Sequence, residues 1–379
     1  MKKLVCALCA IAMCVWCCKK PYFPAVGSLP SSYLVVEGVI NIGNDSTIIK
    51  LSRTVKLTDQ TAVNPVLRAN VTIESDQNAV YNLTDVRGNG SYITVGLNLP
   101  ASQKYRVRIR TGEGNEYVSD YVTARPTPAI DSIGYKIEND NLLVYANTHD
   151  PANATHYYRW DYQETWRFHS RYPSSFVLDP VRNEIVARKE SQMVYYCFAG
   201  AVSNNILLNS TAKLNQDVVY QSPLTYIPLT SEKIELRYSV LVRQYALSEE
   251  AFQYYQQLKK NTEQLGSIFD AQPSQLTGNV HSTTNPEDVV IGYITATNVQ
   301  SKRVFIDAYN LPTHTVYPYD CQQDSALFVD RFGTHQVEND LIKPPLTNIP
   351  IDQISVKGAI VGYTYSTCLL YTSPSPRDS

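Results

Sequence analysis

The chain has 379 residues, 44% of them hydrophobic and 18% charged, enough for about two to three domains of ~100–200 residues each and too apolar to be disordered. Thirty-three lysines and arginines face 35 aspartates and glutamates, a net charge of −2, so no field draws in a polyanion and sequence-independent nucleic-acid binding is disfavoured. The aromatic balance, 28 tyrosines to 9 phenylalanines and 3 tryptophans, favours strands and rings with a polar tip.

At the front, Lys2 and Lys3 precede an apolar run from Leu4 to Trp16, then Cys17 and Cys18. Such a run suits a secretory leader and falls short of the ~20 residues that span a bilayer. The pattern is that of a lipoprotein signal peptide, cut before a cysteine that receives palmitate and related acyl chains. Cys18 is the expected acceptor, because Cys17 then supplies the small residue at the cut and Val15 the aliphatic one upstream; cutting before Cys17 would put Trp16 at the scissile bond. The competing reading is a soluble exported protein with a coincidentally Cys-rich leader. Residues 1–17 are therefore expected to leave, and 18–30 to form a tether on a membrane anchor worth ~0.8 kcal/mol per buried CH₂. The tether, with Lys19, Lys20, Pro21 and Pro24, lacks an acidic cluster, so the face of the membrane it occupies is unspecified.

Residues 31–125 read as short alternating strands separated by turn residues. In Lys104–Arg110, Tyr105, Val107 and Ile109 share one face and four cations the other, and Thr111–Asn115 turns the chain into a partner at Glu116–Val122. With strands at 33–40, 47–52, 70–74, 79–83 and 91–97, the expected fold is an N-terminal Ig-like β-sandwich without the Cys…Trp…Cys pattern. Arg125-Pro126-Thr127-Pro128 punctuates the chain, since neither proline donates to a ladder, and sets the domain boundary.

Residues 126–366 are expected to form a larger antiparallel β domain, so the fold class is mainly β. A hairpin at 130–147 precedes an aromatic strand, His156–Phe168, in which Tyr158, Trp160, Tyr162, Glu164 and Trp166 alternate with Tyr157, Arg159 and Asp161. That parity separates Asp161 from Glu164 and works against an acid pair. The tryptophans either pack a sheet face beneath a helix or, where exposed, form with Tyr158 and Tyr162 a ligand or partner surface at Trp160 and Trp166. Further strands are expected at 193–199, 206–208, 224–228, 234–245, 289–295 and 302–309. One inserted amphipathic helix, about 248–265, starts at an Ser248 cap, carries Glu249 and Glu250 in its first turn and stops near Gly266; its expected job is to cover a sheet face or edge.

The helix with the stretch Gly266–Ser274 and Gly278-Asn279-Val280-His281, together with Tyr33–Gly38 and Tyr157–Tyr162, resembles the Bacteroidota lipoprotein family of domain of unknown function 4249. The likeness runs to about residue 366. It implies an outer-membrane lipoprotein, lipid-anchored, of the kind often encoded beside TonB-dependent receptors, and it offers no catalytic residues to carry over. Residues 367–379, Cys368 included, read as a translated sequencing adapter in place of the family's usual short ending.

Little else points to chemistry. Cys197 and Cys321 could pair in an oxidising compartment, stay as two buried thiols, or leave Cys321 to bond a lost C-terminal cysteine. No CxxC, HExxH, GxSxG, P-loop or dinucleotide fingerprint occurs, and His149, His156 and His169 lack the spacing of ligands on one helix face, so no metal, cofactor or catalytic residue is expected. The expected function is a non-enzymatic outer-membrane lipoprotein, an accessory or ligand-presenting partner of a TonB-dependent transporter; the alternative is a free-standing surface adhesin or glycan-binding module with a glycan or small ligand.

Overall fold

The structure, a computed structural model, describes residues 32–55, 63–263, 276, 278–311, 322–344 and 347–366. Strands dominate it, and their pairing is largely antiparallel. Leader, tether and tail lie outside the described residues, as do Cys18, Cys321 and Gly266. Among the described residues no helix is long and apolar enough to cross a membrane.

The first unit is a two-sheet sandwich. One sheet is built on Leu34–Asn41 and Thr47–Arg53, the other on Asn70–Ser75, Lys104–Arg110 and Glu116–Ser119. The alternation of Tyr105, Val107 and Ile109 buries all three against Leu34, Val36 and Ile49 from the facing sheet. The three arginines of the opposite row are paired across the strands: Glu74 receives Arg106 Nε at 2.7 Å and Arg108 Nε at 2.6 Å, and Glu116 receives Arg110 at 2.7 Å and Arg108 as well.

Burial opposes ionisation of Glu74, but the hydrogen bonds and charges of Arg108 and Arg106 outweigh it and hold the carboxyl below its ordinary 4.5. A folded-state value below the unfolded one gives stability that is complete above the unfolded value and is lost as pH falls through the folded one. Glu74→Gln is therefore expected to flatten the acid limb: between pH 6 and pH 3 the urea midpoint of the variant falls less than that of the wild type.

The sandwich is not the contiguous segment 31–125. Val280–Ser282 adds to the second sheet beside Glu116–Ser119, while Val290–Ile291 and Thr295–Thr297 join the first sheet parallel to Leu34–Val35 and Val39–Asn41. Val280, Val290, Ile294 and Ala296 complete its core. The strand expected over 289–295 is thus two short pieces split at Gly292, and one sheet is mixed rather than purely antiparallel.

A second sandwich follows. Ile130–Glu138, Asn141–His149 and Val218–Pro228 form a three-stranded sheet; Tyr157–His169, flanked by Tyr196–Val202, Leu207–Ser210, Arg237–Ala246 and Gln300–Asp307, forms a five-stranded one. Leu142, Val144, Ala146, Leu224 and Ile227 of the first meet Trp160, Tyr238, Val240 and Val242 of the second. A small third unit pairs Gln323–Leu327 and Ile349–Val356 with Ala359–Ser366, and packs them on a hairpin, Phe176–Asp179 with Glu184–Ala187, that is inserted in the second sandwich.

The helix spans Glu249–Glu263, with Ser248 Oγ accepting the Ala251 amide at 3.2 Å as the cap requires. It seats Ala251, Phe252 and Tyr255 on Tyr157, Leu208 and Tyr245 of the second sandwich and on Val39 and Tyr293 of the first. It therefore covers the junction between them as well as a sheet face. Arg159 is clamped there between the rings of Tyr245 at 4.3 Å and Tyr255 at 4.8 Å.

Candidate functional site

The four aromatic residues singled out as a ligand surface do not form one. Trp160 is 1% exposed and Trp166 8%, and Tyr158 and Tyr162 are buried with them. The strand parity does place both tryptophans on one face, with Asp161 opposite, but that face turns toward the three-stranded sheet and not toward solvent. Nor do the rings lie beneath the helix, which covers the odd-numbered side through Tyr157 and Arg159. Tyr158 and Trp160 stack at 5.7 Å inside the core.

Every carboxylate near these rings is already engaged. Glu164 accepts the Tyr238 hydroxyl at 2.8 Å and is paired with Lys233, whose ammonium sits 5.0 Å from the Trp166 ring centre. Asp217 accepts Tyr158 at 2.8 Å and Thr211 at 2.5 Å. On the far face Asp161 binds Arg243 at 2.6 Å and the Tyr245 hydroxyl at 2.7 Å. Burial first, and then the adjoining carboxylate, pushes the phenols of Tyr158, Tyr238 and Tyr245 upward, so all three remain protonated donors.

The histidines are dispersed: His149 pairs with Asp131 at 2.8 Å and His169 with Glu235 at 3.1 Å. Among the described residues no group of three or more His, Cys, Asp or Glu converges on a metal position. The Cys197 thiol is buried, and that burial, followed by the charges of Glu232 and Glu235, pushes its pKa above the ordinary value, which makes it a poor nucleophile.

The junction holds what sequence reasoning passed over as punctuation. Arg125-Pro126-Thr127-Pro128 is stitched to both sandwiches: the Arg125 amide donates to Ala296 O at 2.9 Å, Thr297 Oγ1 to Arg125 O at 2.6 Å, the Thr127 amide to Asn298 Oδ1 at 2.6 Å, and the Ala246 amide to Thr127 Oγ1 at 3.0 Å. Prolines, which bring no N–H, suit a segment in which the Arg125 and Thr127 amides are both committed. Beside it opens a cleft of about 420 Å³, walled by this linker, the Asp150–Thr155 loop and Ala246–Leu247.

Two charges mark the cleft. The Asp150 carboxylate accepts the amides of Ala152 at 2.9 Å, Ala154 at 3.0 Å and Thr155 at 2.9 Å, and although burial opposes its ionisation these bonds hold its pKa below the usual carboxylate range. Arg125 is exposed, and its charge helps hold the Glu250 carboxyl below its ordinary range. Around these two charges the lining is made of threonines, alanines, prolines and Leu247, and the Thr155 hydroxyl also bonds the Asp150 carboxylate. Asp150-Pro151 is a turn signal from which the loop could have been read; nothing local in the sequence says that it faces residues 123–128.

Against known families, residues 19–303 match the model of a domain of unknown function, DUF4249. The chain belongs to this family. The DUF4249 match begins at the residue after Cys18 and ends within strand Gln300–Asp307, so it takes in both sandwiches, the junction and the helix. It stops short of residue 366, which leaves the three-stranded unit at 323–366 beyond the matched span. A search of curated proteins found no match.

Proposed function

We propose that this DUF4249 protein is a lipid-anchored protein of the outer membrane without catalytic activity, which presents or retains a ligand for a TonB-dependent transporter. The observation that carries the reading is the leader: Lys2-Lys3, the run to Trp16 and Cys18, followed at once by the family's matched span from residue 19. The 13 positions from Cys18 to Pro30 reach at most roughly 45 Å when extended, enough to lift the two sandwiches clear of lipid headgroups while holding them at the membrane. The engaged carboxylates and the fixed interdomain linker support a scaffold for binding in preference to one for turnover.

Labelled palmitate is expected to enter the wild-type product and not Cys18→Ser, and the variant is expected to leave the membrane fraction. Cross-linking in cells is expected to recover a TonB-dependent receptor. Palmitate absent from the wild type would remove the anchor, and repeated recovery of no receptor would remove the transporter.

A further inference from the structure

The outer face of the three-stranded sheet, whose inner face covers the tryptophans, has the chemistry of a carbohydrate platform. On the outer face of the three-stranded sheet, Tyr220 is 77% and Tyr226 54% exposed. Between them in register, opposite Pro223, the half-buried Tyr145 lies across Gly134: a Cβ at that glycine would stand 2.5–2.6 Å from the Cζ, Cε2 and Oη of the ring. A side chain at 134 would lift the ring, so the glycine is what lets it lie flat on the sheet. Along the strand, Tyr220, the level of Tyr145, and Tyr226 succeed one another at about 10 Å, three residues each.

Polar groups surround the rings. Gln221 Nε2 donates to Tyr220 Oη at 3.0 Å, Lys136 Nζ to Gln221 Oε1 at 3.3 Å, and Asn147 Nδ2 to Ser132 Oγ at 2.9 Å. Gln221 holds a left-handed φ of 48° at a register shift, a strained conformation at the point where Tyr220 leaves the sheet. The charges of the face pair off, Lys136 with Glu138 at 3.9 Å and His149 with Asp131 at 2.8 Å, so an uncharged occupant fits. The strand Val218–Pro228 is the sheet edge, and its register shifts with Pro223 and Pro228 oppose extension by an added peptide strand.

We propose that this face binds a neutral oligosaccharide, whose sugar rings stack on Tyr220, Tyr145 and Tyr226 while the amides of Asn147 and Gln221 take hydroxyls at their rims. A pyranose presents apolar C–H faces and a polar edge, and the platform matches both. The inference does not depend on the lipid anchor or on a transporter.

The test is affinity electrophoresis of the full-length protein in detergent, through native gels containing hydroxyethylcellulose, glycol chitin or soluble starch. The wild type is expected to be retarded by at least one of them, and Tyr220→Ala/Tyr226→Ala to bind that polymer about tenfold or more weakly. Both rings are exposed, so the variant's melting temperature and far-ultraviolet circular dichroism are expected to match the wild type. Absence of retardation in all three gels, or equal retardation of wild type and double variant, overturns the proposal.

Discussion

Trp160→Ala is expected to destabilise the second sandwich by on the order of 5 kcal/mol, a sizeable part of what a typical domain possesses. Two effects combine. Removing the indole leaves a cavity between the two sheets, where Trp160 lies among Leu142, Val144, Tyr158 and Val242. It also strips Gln244 Oε1 of its donor, which the indole Nε1 supplies at 2.9 Å, and leaves a buried acceptor unpaired. The same Gln244 donates to Pro128 O at 2.9 Å and Thr148 Oγ1 at 3.0 Å, so the damage reaches the linker. Trp160→Phe separates the two effects: it keeps most of the volume and loses only the donor, for a cost of about 1–3 kcal/mol. Urea midpoints of the three proteins measure this. A surface role for Trp160 would leave them equal.

Gly292→Ala is expected to cost about 3 kcal/mol or more and to lower the melting temperature by about 6–12 °C. Gly292 has φ +155°, and an added Cβ would stand 2.2 Å from Val36 O and 3.1 Å from Val36 C. Neither can yield easily, because Val36 is itself in the core of the first sandwich. The chain there joins two short parallel pieces, Val290–Ile291 against Leu34–Val35 and Thr295–Thr297 against Val39–Asn41. Displacing the junction frees the returning segment, so limited proteolysis is expected to cut between 283 and 297 in the variant and not in the wild type. An unchanged digest with an unchanged melting temperature would refute the account.

The tyrosine excess acquires a structural reason in these sandwiches. Buried rings fill the cores, and four of their hydroxyls reach a polar group at the edge: Tyr92 donates to Val66 O at 2.9 Å, Tyr105 to Pro100 O at 2.8 Å, Tyr117 to Asp288 Oδ2 at 2.7 Å and Tyr158 to Asp217 Oδ2 at 2.8 Å. Phenylalanine at these places would bury the same ring and abandon the acceptor. Burial raises Tyr105 and Tyr117 to about 12, so these donors persist through the physiological range.

Strand identity was readable residue by residue, because period-2 alternation is a local property. It located Lys104–Arg110, its partner strand, the aromatic strand at 157–169 and the opposition of Asp161 to Glu164, and the Ser248 cap with its acidic first turn located the helix. Alternation names two faces without saying which is wet. Only the packing of a second sheet decided that the tryptophan face is core, and that Tyr220 and Tyr226, on an unremarkable strand, are the exposed rings. Long-range pairing was equally hidden: nothing local marks residues 280–297 as returning across the helix to complete a sandwich begun at residue 34, since that contact is selected by apolar area left uncovered on another part of the chain.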